Sequence, residues 1–392
     1  MTDAPRGSFN YPNAYRIGAG RRTELPEVCR AQGMRRPLVV TDPGVAKLPW
    51  FAQLLELLRD GGLDYGVFAD VAANPAEDDV TRGTAVYKEG GRDGVVLVGG
   101  GSAMDAGKCI ALMSGNGGSV FDYEDVGDNW TRVDPAGVAP SVAVPTTAGT
   151  GSEVGRASVI VDPSDHAKKI IFHPKMQPAA VIADPELTLG LPKFVTAATG
   201  MDALAHCFEA YCAPGYHPMA DGIALEGMRL IDDNLRRVFA DGSDLTARTH
   251  MMMAASMGAT AFQKGLGMVH ALSHPLGGAT GCHHGLANAI FLPYVMVFNR
   301  DVIEDRMTRL ANFLGLADPG FDAVMRWMLK LREDLQLPHT LAAVEGFDEA
   351  MADKLAPLAE RDPSMGGNPK PATVQQLRDV FVAALHGDLG DA

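Results

Sequence analysis

GVVLVGGGSAMDAGKCIALM (94–113) is the stretch on which the reading of the fold turns. A continuous apolar run, GVVLV, ends in three glycines and a serine, and a helical pattern follows at once in AMDAGKCIALM (103–113). An apolar run without alternation is what a strand buried on both faces requires. Glycines at a strand-to-helix turn let the backbone approach a phosphate, and the first N–H groups of the helix favour an anion. The turn is not the usual dinucleotide fingerprint, because Met104 stands at the sixth position of GxGxxG. Nor is it a P-loop, because Lys108 is misplaced for GxxxxGK[ST]. By itself GGGS reads equally as a plain connector.

Outward from it the same alternation repeats. PLVVTD (37–42) is expected to be a buried strand, WFAQLLELLRDGG (50–62) a helix with a Gly-Gly stop, YGVFADV (65–71) a strand and VTRGTAVYKEGG (80–91) a helix. SVAVPTTAGTGSEV (141–154) is again a strand running into a glycine-rich loop, this one dense in hydroxyl donors. Alternating strands and helices imply a parallel sheet with ligands beyond the carboxyl ends of its strands. Two glycine loops at neighbouring strand ends point to a phosphate-bearing cofactor. Asp42, closing the first clear strand, suits the hydroxyls of a ribose and favours NAD over NADP; as a turn residue before Pro43 it reads just as well.

After DPELTLGLP (184–192) long helical patterns take over and strand signals nearly vanish. The expected organisation is therefore an α/β domain, residues 1–187, whose glycine loops suit a phosphate-bearing cofactor, followed by a mostly helical domain, residues 188–392. GNGGS (115–119) and GDNWTRVDPAG (127–137) read as surface loops.

Composition narrows the function. The 392 residues are 46% hydrophobic and 21% charged, as in ordinary globular proteins with ample core. A formal net charge of -14 without a basic cluster speaks against nucleic acid or an anionic membrane as partner. Five scattered cysteines without a CxxC pair suggest reduced thiols. The opening MTDAPRGSFNYPNAYR (1–16) lacks an apolar targeting region, and no later apolar run reaches about 18 residues, so a cytoplasmic enzyme is expected.

The helical half concentrates histidine: His270, His274, His283 and His284 are four of eleven. Asp202 and His206 lie four apart in a helical pattern, and so do His270 and His274, so each pair shares a helix face. The second helix is expected to end at Pro275 and the glycines after it, with His284 arriving from a loop beside Gly285. One carboxylate and three imidazoles suit Fe2+ or Zn2+ and leave a position for substrate. Spacing alone ranks neither His270 against His274 nor His283 against His284, although adjacent residues seldom both face one ion. The competing assignment is capped or hydrogen-bonded core histidines.

Taken together the chain resembles the iron-containing (group III) alcohol dehydrogenase family. The resemblance rests on VVTD (39–42), GGGSAMDAGK (99–108), PTTAGTGSEV (145–154), DPELT (184–188), ATGMDALAH (198–206), GLGMVHALSHPLGG (265–278), HHG (283–285) and GGNPKPAT (366–373). It implies a dinucleotide-binding first domain and a helical metal-binding and catalytic second one. Metal ligation falls to Asp202, His206, His270 and His284, with His274 between metal and nicotinamide as a proton-transfer group. It further implies cofactor contacts at Asp42, Asn74, Gly100, Gly101, Ser102, Thr146, Thr147, Thr150 and Lys168. The implied activity is interconversion of a small alcohol and its aldehyde or ketone, using NAD (or NADP) and Fe2+ (or Zn2+), in a homodimer or larger homo-oligomer. Glycerol- or 4-hydroxybutyrate-type dehydrogenases of the same fold are the near alternatives. A lyase resembling dehydroquinate synthase and a binding protein without turnover are the distant ones. Where the family often carries bulk, this chain has GGATGCH (277–283), which is expected to widen the substrate cleft or loosen packing against nicotinamide. Cys207, beside a ligand, reads as a packing residue with oxidation sensitivity as its alternative role.

Overall fold

The structure, a computed structural model, describes residues 13–164 and 168–390. Most of the N-terminal stretch read above for targeting lies outside them. The chain divides into two compact units between Gly190 and Leu191.

The first unit is a six-stranded, all-parallel sheet with helices in its crossovers. Its elements are β1 (Ala14–Ile17), α1 (Leu25–Ala31), β2 (Pro37–Val40), α2 (Pro49–Asp60), β3 (Gly66–Phe68), α3 (Glu77–Glu89), β4 (Gly94–Gly99), α4 (Gly101–Met113), β5 (Ser141–Pro145), an antiparallel hairpin β6 (Ala157–Val161) and β7 (Lys168–Phe172), and β8 (Ala180–Ala183). The sheet order is β1-β8-β5-β4-β2-β3. Every residue of β2, β4, β5 and β8 is buried, which is why these strands read as unbroken apolar runs. Val39, Val96, Val98, Val142, Val144 and Ile182 pack against Phe51, Leu54 and Leu58 of α2 in one core. Sheet order reverses around β2 and β4, the kind of switch point at which open parallel sheets bind ligands.

The second unit is helical: α5 (Lys193–Cys212), α6 (Pro218–Ala240), α7 (Leu245–Ala261), α8 (Met268–Thr280), α9 (His284–Phe313), α10 (Phe321–Asp334), α11 (Glu349–Arg361) and α12 (Val374–His386). Helix α5 is its axis, packed against α6, α7 and α9, and every residue from Thr196 to Cys212 is buried. Its run of small residues, AATGMDALA (197–205), lets these neighbours approach closely. Helix α9 is long and apolar enough to cross a bilayer, but 67% of that window is buried in the bundle, as in the core helix of a globular protein.

Two expectations for this unit need correction. Helix α8 does not stop at Pro275 but runs on to Thr280, where Gly281 closes it in the left-handed region at φ 71°. His284 is not on a loop; it is the first residue of α9. Strands β1, β6, β7 and β8 were not anticipated. β1 and both hairpin strands are largely half-buried, so their hydrophobic signal is weak, whereas β8 is fully buried but only the four residues AVIA.

Candidate functional site

In the sheet unit the predicted cofactor residues gather at the carboxyl ends of three adjacent strands. Asp42 follows β2, Gly100–Ser102 follows β4 and Thr146–Thr150 follows β5. The two glycine loops pack directly. A Cβ at Gly101 would lie 2.8 Å from Cγ2 of Thr150, and one at Gly100 would lie 3.2 Å from Cγ2 of Thr147. At Gly101 a Cβ would force Thr150 to shift and at Gly100 it would be tight, while Gly99 turns through φ 149°. The Thr146 N–H donates to the Gly99 carbonyl at 3.0 Å. Helix α4 begins after the extended Gly100, with no side chain capping its first N–H groups among the described residues.

Asp42 serves as a turn residue with one oxygen left toward the glycine loop. Its Oδ1 accepts from Gly44 and Val45 N–H at 2.8 and 3.0 Å, a local turn, while Oδ2 faces Gly99, 3.5 Å from where a Cβ would stand. The Ser102 hydroxyl donates to Ala73 O at 2.6 Å, tying the exposed Asn74 loop to the start of α4. Lys168 opens β7, next to residues outside the description. Behind the loops, Asp105 accepts from Ser152 Oγ at 2.6 Å, and the buried Lys108 ammonium lies 3.2 Å from Asp105 Oδ1. These two GGGSAMDAGK residues hold the second loop against α4.

In the helical unit three separate helices bring one carboxylate and three imidazoles together. Asp202 and His206, one turn apart, project from α5, His270 from the first turn of α8, and His284 opens α9. Ligand atoms of Asp202, His206 and His270 all lie within 4.8 Å of one another, and the three residues are buried. Asp202 Oδ1 is 3.7 Å from His206 Nε2, 3.8 Å from His270 Nε2 and 3.5 Å from His284 Nε2. Around an ion with bonds of about 2.0–2.2 Å, tetrahedral ligand atoms stand about 3.3–3.6 Å apart, so Asp202, His206 and His270 could hold a divalent metal, and His284 stands at a similar distance from Asp202. Burying this much polar and ionisable surface is costly unless it is paired or coordinates a metal.

Gly285 makes the approach of α9 feasible. A Cβ there would stand 2.1 Å from the Ala198 carbonyl oxygen and 3.3 Å from Asp202 Cβ, so α9 begins in backbone contact with α5. The neighbouring His283 is exposed and turns to Phe194, ring centroids 5.6 Å apart and edge to face. The geometry thus brings His284, and not His283, to Asp202.

Three contacts around these side chains escaped the sequence reading. Glu209, buried at 4% exposure, lies 2.5 Å from His270 Nδ1 through Oε2. Asn288, one turn along α9 from His284, donates from Nδ2 to Asp202 Oδ1 at 2.8 Å, and the same nitrogen lies 3.3 and 3.2 Å from His270 Nε2 and His284 Nε2. His274 turns its Nδ1 to Asp362 Oδ2 at 2.8 Å while its ring stacks on His284, centroids 5.4 Å apart. The HxxE spacing of His206 and Glu209 and the HxxxN spacing of His284 and Asn288 were visible signals. Asp362, 88 residues from His274, gave none.

Electrostatics follow the packing. Burial pushes the His270 imidazole down, but the Glu209 and Asp202 carboxylates outweigh it and hold its pKa above the ordinary value. Burial pushes the Asp362 carboxyl up, yet His274 and Ser364 more than compensate, so it titrates below its ordinary range. The Cys207 thiol is pushed up to about 12 by burial, which keeps it protonated and makes it a packing residue. All five cysteines are free thiols.

Comparison with known proteins spans nearly the whole chain. A family model described as iron-containing alcohol dehydrogenase matches residues 12–185, and one described as Fe-containing alcohol dehydrogenase family, C-terminal, matches residues 196–385. The chain is 42% identical over 371 residues to a 4-hydroxybutyrate dehydrogenase of Cupriavidus necator, covering 92% of this chain and 95% of that one. It is 35% identical over 385 residues to an NAD-dependent methanol dehydrogenase of Bacillus methanolicus, covering 96% and 100%. The solved structure of a 1,3-propanediol oxidoreductase superposes with a TM-score of 0.92 at 34% identity, covering 97% of this chain and 100% of that one.

Proposed function

Because the chain belongs to the iron-containing alcohol dehydrogenase family, whose members use NAD(P) and a metal, we propose that it oxidises a small alcohol, or reduces the corresponding carbonyl compound, with the four-residue cluster as its metal centre. The observation that carries this reading is the convergence of three imidazole Nε2 atoms, from three helices, on one Asp202 oxygen at 3.5–3.8 Å. Asp202, His206, His270 and His284 hold Fe2+ in this reading, with Zn2+ the alternative. The ion would supply Lewis acidity toward an alcohol or carbonyl oxygen, and a nicotinamide would accept or donate the hydride.

The chain's own residues do the rest. Gly100, Gly101 and Ser102 offer N–H groups and a bare backbone to a pyrophosphate, and Thr146, Thr147 and Thr150 add hydroxyl donors and shape from the second loop. Asp42 Oδ2 and Asn74 receive the adenosine ribose side, and Lys168 the nicotinamide ribose. The Asp42 charge favours NAD over the 2′-phosphate of NADP. His274 moves the proton: Asp362 holds its Nδ1, so Nε2 is the nitrogen that takes the hydroxyl proton or returns it. The division of labour is cofactor binding by residues 1–187 and metal binding by residues 188–392. Cytoplasmic residence and a homo-oligomeric state complete the proposal.

The similarity to a 4-hydroxybutyrate dehydrogenase makes a short ω-hydroxy acid the second substrate class to test. Protein purified without chelator is expected to contain about one iron or zinc per chain. It is also expected to form NADH steadily from simple alcohols, 4-hydroxybutyrate or glycerol. Metal-free protein with full turnover would overturn the reading, and analytical ultracentrifugation tests the assembly.

A further inference from the structure

We propose that Glu209 is a positioning residue that sets the tautomer of His270, and thereby decides whether the α8 histidine can serve as a ligand at all; this rests on the metal reading above. Glu209 shares one face of α5 with Asp202 and His206, at positions i, i+4 and i+7. It is 4% exposed, and its two oxygens meet different elements of the same turn of α8. Oε1 accepts from the Val269 N–H at 2.7 Å, and Oε2 lies 2.5 Å from His270 Nδ1.

Each half of this clamp has a fixed polarity. A backbone N–H can only donate, so the atom facing Val269 must be an acceptor. The anion also sits in the first turn of α8, where the helix dipole favours negative charge. An ionised carboxylate accepts at both oxygens, so His270 Nδ1 carries a hydrogen and Nε2 turns its lone pair toward Asp202 and Asn288. A second ring Nδ1 contact in the cluster, His284 with the Ser273 hydroxyl at 3.5 Å, selects no tautomer, because a hydroxyl can donate or accept. Helix α5 therefore supplies two ligands and also aims a third that belongs to another helix.

This polarity gives an unusual order of variants. In Glu209→Gln the amide oxygen must stay with the Val269 N–H, which leaves the NH2 group facing His270 Nδ1. An amide NH2 can only donate, so the ring proton moves to Nε2 and faces the metal position. Glu209→Ala removes the clamp but leaves the imidazole free to adopt either tautomer. Zn2+ affinity, measured by chelator competition, is expected to fall about 100-fold in Glu209→Gln and about 10-fold in Glu209→Ala, the range found when outer partners of metal ligands are removed. Thermal stability of the metal-free proteins should run the other way, with Gln close to the parent and Ala lower. In 15N-histidine spectra at alkaline pH, His270 of the metal-free Gln variant should carry its proton on Nε2, an observation that does not depend on the Ala variant folding. Equal or tighter Zn2+ binding by Gln than by Ala, or an Nδ1 proton in the Gln variant, overturns the proposal. A parent protein that binds no Zn2+ overturns the metal reading itself.

Discussion

The two candidate sites are built on opposite principles. At the strand ends of the sheet unit what matters is a side chain that is missing: Gly100 and Gly101 lie so close to Thr147 and Thr150 that a Cβ would touch them. In the helical unit what matters is side chains that are present, with Asp202, His206, His270 and His284 brought together by three helices. A backbone cradle tolerates a change of chemistry nearby but not added bulk. A side-chain cluster tolerates neither, because its geometry depends on ligand identity and on the approach of whole helices at Gly285.

Substitutions confined to one site should therefore separate the two functions. His270→Ala should have the largest effect, removing bound metal and lowering turnover by about 10³-fold or more, since the metal contributes several kcal/mol of charge stabilisation. Metal analysis, steady-state rates and NADH fluorescence titration check it, and loss of NADH binding would break the separation. Gly285→Ala comes next. With its Cβ placed 2.1 Å from the Ala198 carbonyl oxygen, backbone must move, at a cost of about 1–3 kcal/mol for overpacking. A lower Tm with weakened metal retention is expected, and an unchanged Tm would show that α9 does not need so close an approach.

Gly101→Val tests the other principle. Its added atoms meet Thr150, so KM for NAD should rise about tenfold, near 1.4 kcal/mol, with metal content untouched. Thr150→Ala added to it should restore part of the loss. Asp362→Asn is expected to be mildest and to depend on pH. The folded-state pKa of Asp362 is depressed, so its ionisation stabilises the protein above the unfolded carboxylate value, about 3.9, and that contribution disappears as pH falls through the folded value. The Tm gap between parent and variant should accordingly be open at neutral pH and close in acid. A gap constant with pH would mean that the Asp362–His274 pair adds nothing through charge.

The sequence by itself determined the central strands β2, β4 and β5, because strands buried on both faces must be apolar throughout. It also placed the glycine loops and the i, i+4 pair of Asp202 and His206, because a local period fixes which side chains share a face. Edge strand β1 and the hairpin β6–β7 carried no such signal, since half-buried short strands mix polar and apolar residues. Pro275 was a poor stop signal: α8 continues through it, and tertiary packing overrode the local preference.

Only the tertiary structure decided which members of the histidine group face Asp202. His283 and His284 are neighbours in sequence, but at the start of α9 their side chains diverge, one to Phe194 and the other to Asp202. His270 and His274 share a helix face, yet one meets Glu209, 61 residues earlier, and the other Asp362, 88 residues later. Spacing within a helix gives direction only relative to that helix. What a side chain meets is set by the elements packed against it, and those come from far along the chain.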